Sequence, residues 1–433
     1  MRGDFLDIYV VRPGDTLYSV ARSFGVSPAL LAGMNGADIR SQLVVGQTLV
    51  VRYPSLVHTA APGDTLYSVA RRYGLDMRTL WRNNFSLGGR EFLRAGEELV
   101  IGYADDERLG AAYANGYAYP FIGGALLDST LPYLTYLTPF TYGITADGSL
   151  LPLDDGALLT AAGQRGAAAL LHLSSLTENG GFSSERALAL LESPEMQEGL
   201  IRELEALLRQ KGYSGLDVDF EFIPARARTL YADFIHRLRD TLGALGWHVT
   251  VALAPKTRAD QPGLLYEAHD YALLGEAADS VLLMTYEWGY TYGPPMAVAP
   301  LPQVRAVLDY AVSEIPRDKI FLGVPLYGYD WPLPYVRGET RADSLSPQYA
   351  LELALERRAE ILYDETARSP YYFYTDRGGR RHVVWFEDAR SIDAKLRLVA
   401  EYGLRGVGYW SLTRAMPQNW TILNALYDVV TQA

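Results

Sequence analysis

The chain predicts an α/β protein: a (β/α)8 barrel with a small α+β insertion between its seventh and eighth strands, preceded by two βααβ modules. Three observations predict it. A ten-residue string near the N-terminus recurs without change. Eight apolar, strand-like runs then alternate with amphipathic stretches through about 310 residues, the length of one barrel. Polar and aromatic residues cluster at the ends of three of those runs.

The repeat comes first in the chain. PGDTLYSVAR at 13–22 returns as PGDTLYSVAR at 62–71, an offset of 49 residues. In each copy a strand (8–11, then 57–59) runs into Pro-Gly, and Asp15 or Asp64 is expected to cap the helix that follows. Leu17, Val20 and Ala21, or Leu66, Val69 and Ala70, form one apolar face at helical spacing. Gly25 and Gly74 suit the left-handed position after a helix. A second short helix (28–34, 77–83) and a return strand, VGQTLVV or AGEELVI, complete each unit. The expected modules span 7–54 and 55–103.

Residues 103–115, with charges and alanines rather than Gly and Ser, read as a connector that favours a fixed arrangement over a swinging one. The third domain spans 104–433. Its strand runs are 115–120, 133–142, 167–173, 215–222, 248–255, 280–287, 320–328 and 406–412, with helices such as 195–211, 226–245 and 301–314 between them. Continuous apolar strands joined by helical crossovers indicate a parallel sheet. The long gap from 329 to about 390 holds a helix (347–362) and a hairpin (371–375 with 382–386), an insertion placed to wall a cleft.

Composition narrows the function. Net charge is −12 with no basic patch, which excludes a nucleic-acid partner. The absence of cysteine excludes disulfides, thiolate metal sites and cysteine nucleophiles. The six histidines show no metal-ligand spacing and read as structural or surface residues. No apolar run is long enough to span a membrane, and the first residues lack the apolar core of a secretory signal.

The chemistry points to GLDVDFEF at 215–222. On a strand, Asp217, Asp219 and Glu221 share one face while Leu216, Val218, Phe220 and Phe222 share the other; on a helix, i and i+2 positions diverge by about 200°. Stacked carboxylates raise the pKa of at least one member, which suits a proton donor. MTYEWG (284–289) and GYWSL (408–412) end the sixth and eighth runs, at the barrel face where sites form.

On these residues the N-terminal units resemble LysM modules, and 112–430 resembles the family 18 glycoside hydrolases, whose pattern D-G-x-D-x-D-x-E is approached by 214–221 and whose M-x-Y-D is approached by MTYE. The LysM resemblance implies binding of N-acetylglucosamine-containing glycan, peptidoglycan or chitin, near Gly14, Asp15, Thr16 and Asn35 and near Gly63, Asp64, Thr65 and Asn83. The family 18 resemblance implies retaining, substrate-assisted hydrolysis with no metal or cofactor. Glu221 is then the acid, Asp219 and Tyr286 hold the substrate acetamido group, Asp217 tunes Asp219, Trp410 floors the reacting sugar, and Glu287 and Trp288 contact substrate. Two departures stand out: Ser214 and Glu287 occupy positions where the family has Asp. Tandem LysM units on such a barrel resemble the spore-cortex N-acetylglucosaminidases of endospore-forming bacteria, implying a spore-associated enzyme of the coat and cortex region active during germination. A chitinase and a catalytically silent glycan-binding coat protein are the alternatives.

Overall fold

A computed structural model describes residues 6–104 and 108–431. Eight parallel strands, 111–118, 136–139, 168–174, 215–219, 248–253, 280–283, 320–325 and 406–410, follow one another around a sheet that closes where the eighth pairs with the first. These are numbered below as the first to eighth strands. A two-residue strand near the C-terminus adds to the outer edge of the first. Helices surround the sheet, and the main core lies between the two layers. Inside the barrel Tyr117, Tyr136, Leu170, Leu282 and Phe321 form a separate cluster, so the lumen is packed rather than open.

Several boundaries differ from the sequence expectation, each for a local reason. The first strand begins at Ala111, within the expected connector, because the C-terminal strand pairs with it there; residues 105–107 of that connector lie outside the described residues. The fourth strand ends at Asp219 rather than at 222. Phe222 takes φ 55° and is exposed, so it leaves the apolar face assigned to it. The insertion helix ends at Arg357 because Arg358 adopts a left-handed conformation. Gly328–Pro332 leaves the barrel and joins Asp343–Leu345, Leu362–Asp364, Ser369–Thr375 and Arg381–Trp385 in a five-stranded antiparallel sheet over its own small core.

The two N-terminal modules are each a two-stranded antiparallel sheet with two helices. Their short helices, Pro28–Met34 and Met77–Asn83, fall where the repeat placed them, and Gly25 and Gly74 close the preceding helices in the left-handed conformation. The caps are Thr16 and Thr65 instead of Asp15 and Asp64. Each threonine exchanges bonds with a serine three residues on, a reciprocal capping box. The aspartates sit one position earlier and tie down the preceding turn, Asp15 accepting from Tyr9 and the Arg12 amide, Asp64 from the Ala61 amide and pairing with His58 and Arg72.

Both modules are docked on the barrel. The Gln418 side-chain amide donates to Asn35 and to the Thr48 carbonyl, Thr421 donates to the Met34 carbonyl, and the Ile361 amide donates to Val45. In the second module Arg78 donates to the Pro132, Leu134 and Gly166 carbonyls, and Arg82 donates to Pro132. Gly46 makes the closest approach: with φ 85°, a Cβ there would lie 1.9 Å from the Ile361 carbonyl oxygen. Its counterpart in the second module, Gly96, has the same φ and open space. We therefore expect Gly46→Ala to loosen the first module and destabilise the protein by about 2 kcal/mol more than Gly96→Ala, which carries only the backbone strain. Thermal unfolding with limited proteolysis of the two variants measures the difference.

Candidate active site

Glu221 is placed by its neighbours in the chain. Phe220 is fully buried against Tyr231 and Phe234. Its carbonyl accepts from His269 Nε2 at 3.0 Å, while His269 Nδ1 accepts from the Ala254 amide at 2.8 Å. That pattern fixes a neutral imidazole, and burial accordingly pushes the His269 pKa down to about 4. The backbone just before Glu221 is thus anchored to the fifth strand's end, and the left-handed Phe222 turns the chain away just after it. Positive φ at non-glycine residues is uncommon and concentrates at functional sites.

The carboxyl of Glu221 has no hydrogen-bond partner among the described residues and opens on a cavity of about 520 Å³ at the C-terminal end of the barrel. Burial pushes its pKa up to about 8, with the charges of Asp219 and Glu287 adding to the effect. Sequence reasoning attributed this shift to stacked charge; desolvation is the larger cause. Asp219 and Asp217 lie below it on the same face. Asp217 is wholly buried and accepts from the Tyr117 hydroxyl at 2.8 Å; burial raises its pKa to about 6. His172 Nε2 stands 3.6 Å from Asp217 and 3.7 Å from Asp219, with its Nδ1 held by Thr141 at 2.6 Å. One oxygen of each aspartate, Oδ1, is buried without a partner. Such unsatisfied acceptors are costly in a finished core and mark a site built to receive donors.

Tyr286, from the end of the sixth strand, is 8% exposed, and its hydroxyl has no protein partner among the described residues. Burial and the neighbouring carboxylates hold its pKa well above 10, so it is a permanent donor. Glu287 follows with φ 67° and accepts from the hydroxyls of Tyr327 and Tyr329. The extra methylene relative to aspartate is thus accommodated by a left-handed backbone and two tyrosines. Trp410, Trp288, Tyr119, Phe140 and Phe182 complete the walls, with ring centroids 4.8 Å apart for Phe140 and Trp410 and 5.8 Å for Tyr119 and Trp410. Flat aromatic faces of this kind suit the apolar faces of sugar rings.

The structure brings Glu221, Asp219, Tyr286, Glu287, Trp288 and Trp410 around one cavity, with Asp217 just beneath. Ser214 lies at the far end of the strand and contributes backbone bonds. Trp331, in the first strand of the insertion, is fully buried and donates to the Gly293 carbonyl. His172, read as structural or surface, belongs to the site; so do Tyr117 and the wall formed by Thr257, Arg258, Gln261 and Tyr266. A lone histidine in an apolar run and a polar loop give no periodic signal.

The N-terminal residues are more dispersed. Gly14 and Thr16, and Gly63 and Thr65, are exposed on their modules, with Asp15 and Asp64 half-buried beside them. Asn35 sits at the junction with the barrel domain, beside a cavity of about 260 Å³: it is 7% exposed, its amide nitrogen donates to Leu31 and Val50, and its oxygen accepts from the Val50 amide and from Gln418. Its counterpart in the second module is Asn84, which makes the same set of bonds to Leu80 and Val100. Asn83 donates to the Ile101 carbonyl and accepts from Asn424 of the barrel's last helix.

A parallel barrel that raises one protonated carboxyl over two buried aspartates, between aromatic walls, has the constitution of a glycosidase. Comparison with known proteins agrees. The profile of glycosyl hydrolases family 18 matches residues 170–415, and the LysM domain profile matches 9–52 and 58–102. The chain belongs to glycosyl hydrolase family 18 and carries two LysM domains. It is 44% identical over 301 residues to the cortical fragment-lytic enzyme of Bacillus subtilis, covering 69% of each chain. It is 34% identical to the putative sporulation-specific glycosylase YdhD of the same organism, covering 96% of this chain and 97% of that one. The crystal structure of the Bacillus megaterium spore cortex-lytic enzyme SleL superposes with a TM-score of 0.83 at 36% identity, covering both chains completely. Among the described residues no helix is long and apolar enough to cross a membrane.

Proposed function

We propose that this glycosidase cleaves N-acetylglucosaminyl bonds of peptidoglycan, in spore cortex or fragments released from it during germination, with net retention through the substrate's own acetamido group. One observation carries the mechanism: Asp219, whose buried Oδ1 has no partner, closes the fourth strand and the unpartnered, proton-bearing Glu221 follows two residues on, while the other carboxylate of the cavity, Glu287, is engaged by two tyrosine hydroxyls. A two-carboxylate glycosidase needs its second acid across the ring. Here the substrate supplies the nucleophile. Trp410 supports the ring, Tyr286 donates to the acetamido oxygen, and Asp219 accepts from the acetamido N–H and stabilises the oxazolinium cation as that oxygen attacks C1. Glu221 protonates the departing oxygen and then deprotonates the incoming water. Asp217 and His172 stand beside Asp219 and position it.

The substrate assignment draws on the relatives named for cortical fragments and spore cortex, and it makes this a spore-associated enzyme of the coat and cortex region. The exposed LysM edges at Gly14–Thr16 and Gly63–Thr65 would hold the same glycan. A second reading, hydrolysis of chitin oligomers, has support in a Chromobacterium violaceum chitinase that superposes at a TM-score of 0.67 and 28% identity. Digestion of cortex muropeptides, followed by mass spectrometry, is expected to yield new reducing-end N-acetylglucosamine. The same fragments with that glucosamine de-N-acetylated remain uncut. Cleavage of the de-N-acetylated fragment would refute the acetamido mechanism, and cleavage of chitooligosaccharides alone would establish the second reading.

A further inference from the structure

The cavity has two unlike walls. Tyr119, Phe140 and Trp410, from the ends of the first, second and eighth strands, and Phe182, from the loop after the third, form a neutral aromatic face. The fifth strand is diametrically opposite the first in the closed ring. The loop that follows it brings Thr257, Arg258, Gln261 and Tyr266 to the other side. Arg258 is the one permanent cation among the described residues lining a cavity that also holds Asp219, Glu221 and Glu287. Its Nε donates to Asp260 at 3.0 Å, and neither terminal nitrogen has a hydrogen-bond partner among the described residues. Asp260 therefore holds the guanidinium through Nε and leaves both terminal nitrogens free to donate, as recognition of a carboxylate requires.

We propose that Arg258 is a specificity residue that binds a carboxylate carried by the sugar on the leaving-group side of the scissile bond. The inference rests on the peptidoglycan reading above. Glu221 lies two residues past the end of the fourth strand, next to the fifth, and must face the leaving oxygen to protonate it. The sugar beyond that oxygen lies toward the loop carrying Arg258. In peptidoglycan that sugar is a muramyl residue, whose 3-O-lactyl group bears either a free carboxylate or a peptide with carboxylates of its own. A chitin chain has neutral N-acetylglucosamine at the same place. In a protein of net charge −12 with an acidic cleft, a single guanidinium on that side offsets the repulsion an anionic leaving group would meet.

The test compares wild-type protein with Arg258→Gln on three substrates: chitooligosaccharides, glycan fragments stripped of peptide by an amidase, and fragments that keep their peptides. The Arg258 side chain is 61% exposed, so the expected effect is that of a solvent-accessible pair, about fivefold. The ratio of kcat/KM on charged to neutral substrate falls by that factor, through KM. A loss on stripped fragments assigns the lactyl carboxylate; a loss confined to peptide-bearing fragments assigns the peptide. The wild-type KM on the charged substrate rises with ionic strength, and that of Arg258→Gln does not. An unchanged ratio, or an equal salt dependence in the two proteins, overturns the proposal. A wild-type protein that cuts chitooligosaccharides and neither muramyl substrate overturns the peptidoglycan reading and this inference with it.

Discussion

Replacing Glu221 by Gln lowers kcat on cortex fragments by about 10³-fold with little change in KM, because the amide keeps the shape of the side chain and loses its proton. The wild-type pH profile carries the same information. With a pKa near 8, Glu221 is protonated and competent below that value, so kcat/KM of the wild type falls as pH rises past about 8. Stability follows with its own sign. The ordinary value for the residue is 4.5, so between 4.5 and about 8 the folded protein retains a proton that the unfolded chain has released. The contribution of this group to stability therefore declines as pH rises through that window. Glu221→Gln, which cannot ionise, should unfold at a higher temperature than wild type at pH 9 and at a similar temperature at pH 4. A variant that loses activity together with melting temperature at both pH values would point to misfolding instead.

Asp219→Asn is expected to cost about 10²-fold in kcat, again with KM nearly constant. The residue is 7% exposed and stands below the acid, where the proposed mechanism would have it face the cation formed at the acetamido group only as the bond breaks. An interaction made mainly in the transition state lowers kcat and kcat/KM together. A second readout separates this role from a packing defect. The Asp219 charge is one cause of the raised Glu221 pKa, so its removal should move the alkaline limb of the pH profile toward lower pH. An alkaline limb that stays at about 8 would show that the two carboxyls are not coupled.

The barrel was legible because its strands are buried on both faces and read as continuous apolar runs such as ALLHL and HVTVAL. The modules were legible because a repeat samples the same structure twice. The meeting of Glu221 and Tyr286 at one cavity was legible because both follow the ends of barrel strands. What stayed hidden depends on contacts far apart in the chain. Tyr117 reaches Asp217 across the barrel, a pairing no local periodicity encodes. The module asparagines invited the same kind of error. The resemblance implied a glycan contact near Asn35, yet its amide closes the helix onto the return strand, and its counterpart at the repeat offset is Asn84, not Asn83. Thr16 and Thr65 displaced their neighbouring aspartates as caps because a serine three residues on completes the reciprocal pair.

On the proposed function, docking of the modules would change how a long glycan strand is held. A module on a loose tether samples a volume, and its help fades gradually as the tether lengthens. Fixed to the barrel through Asn35, Gln418, Arg78 and the close approach at Gly46, these modules sample a single distance from the cleft. If the modules hold glycan as proposed, the enzyme would act as a ruler: a strand long enough to lie on both surfaces at once would gain the full benefit of double attachment, and a shorter one would gain nothing. Trimming its own substrate below that length would then turn the protein from gripping a polymer to handling free fragments.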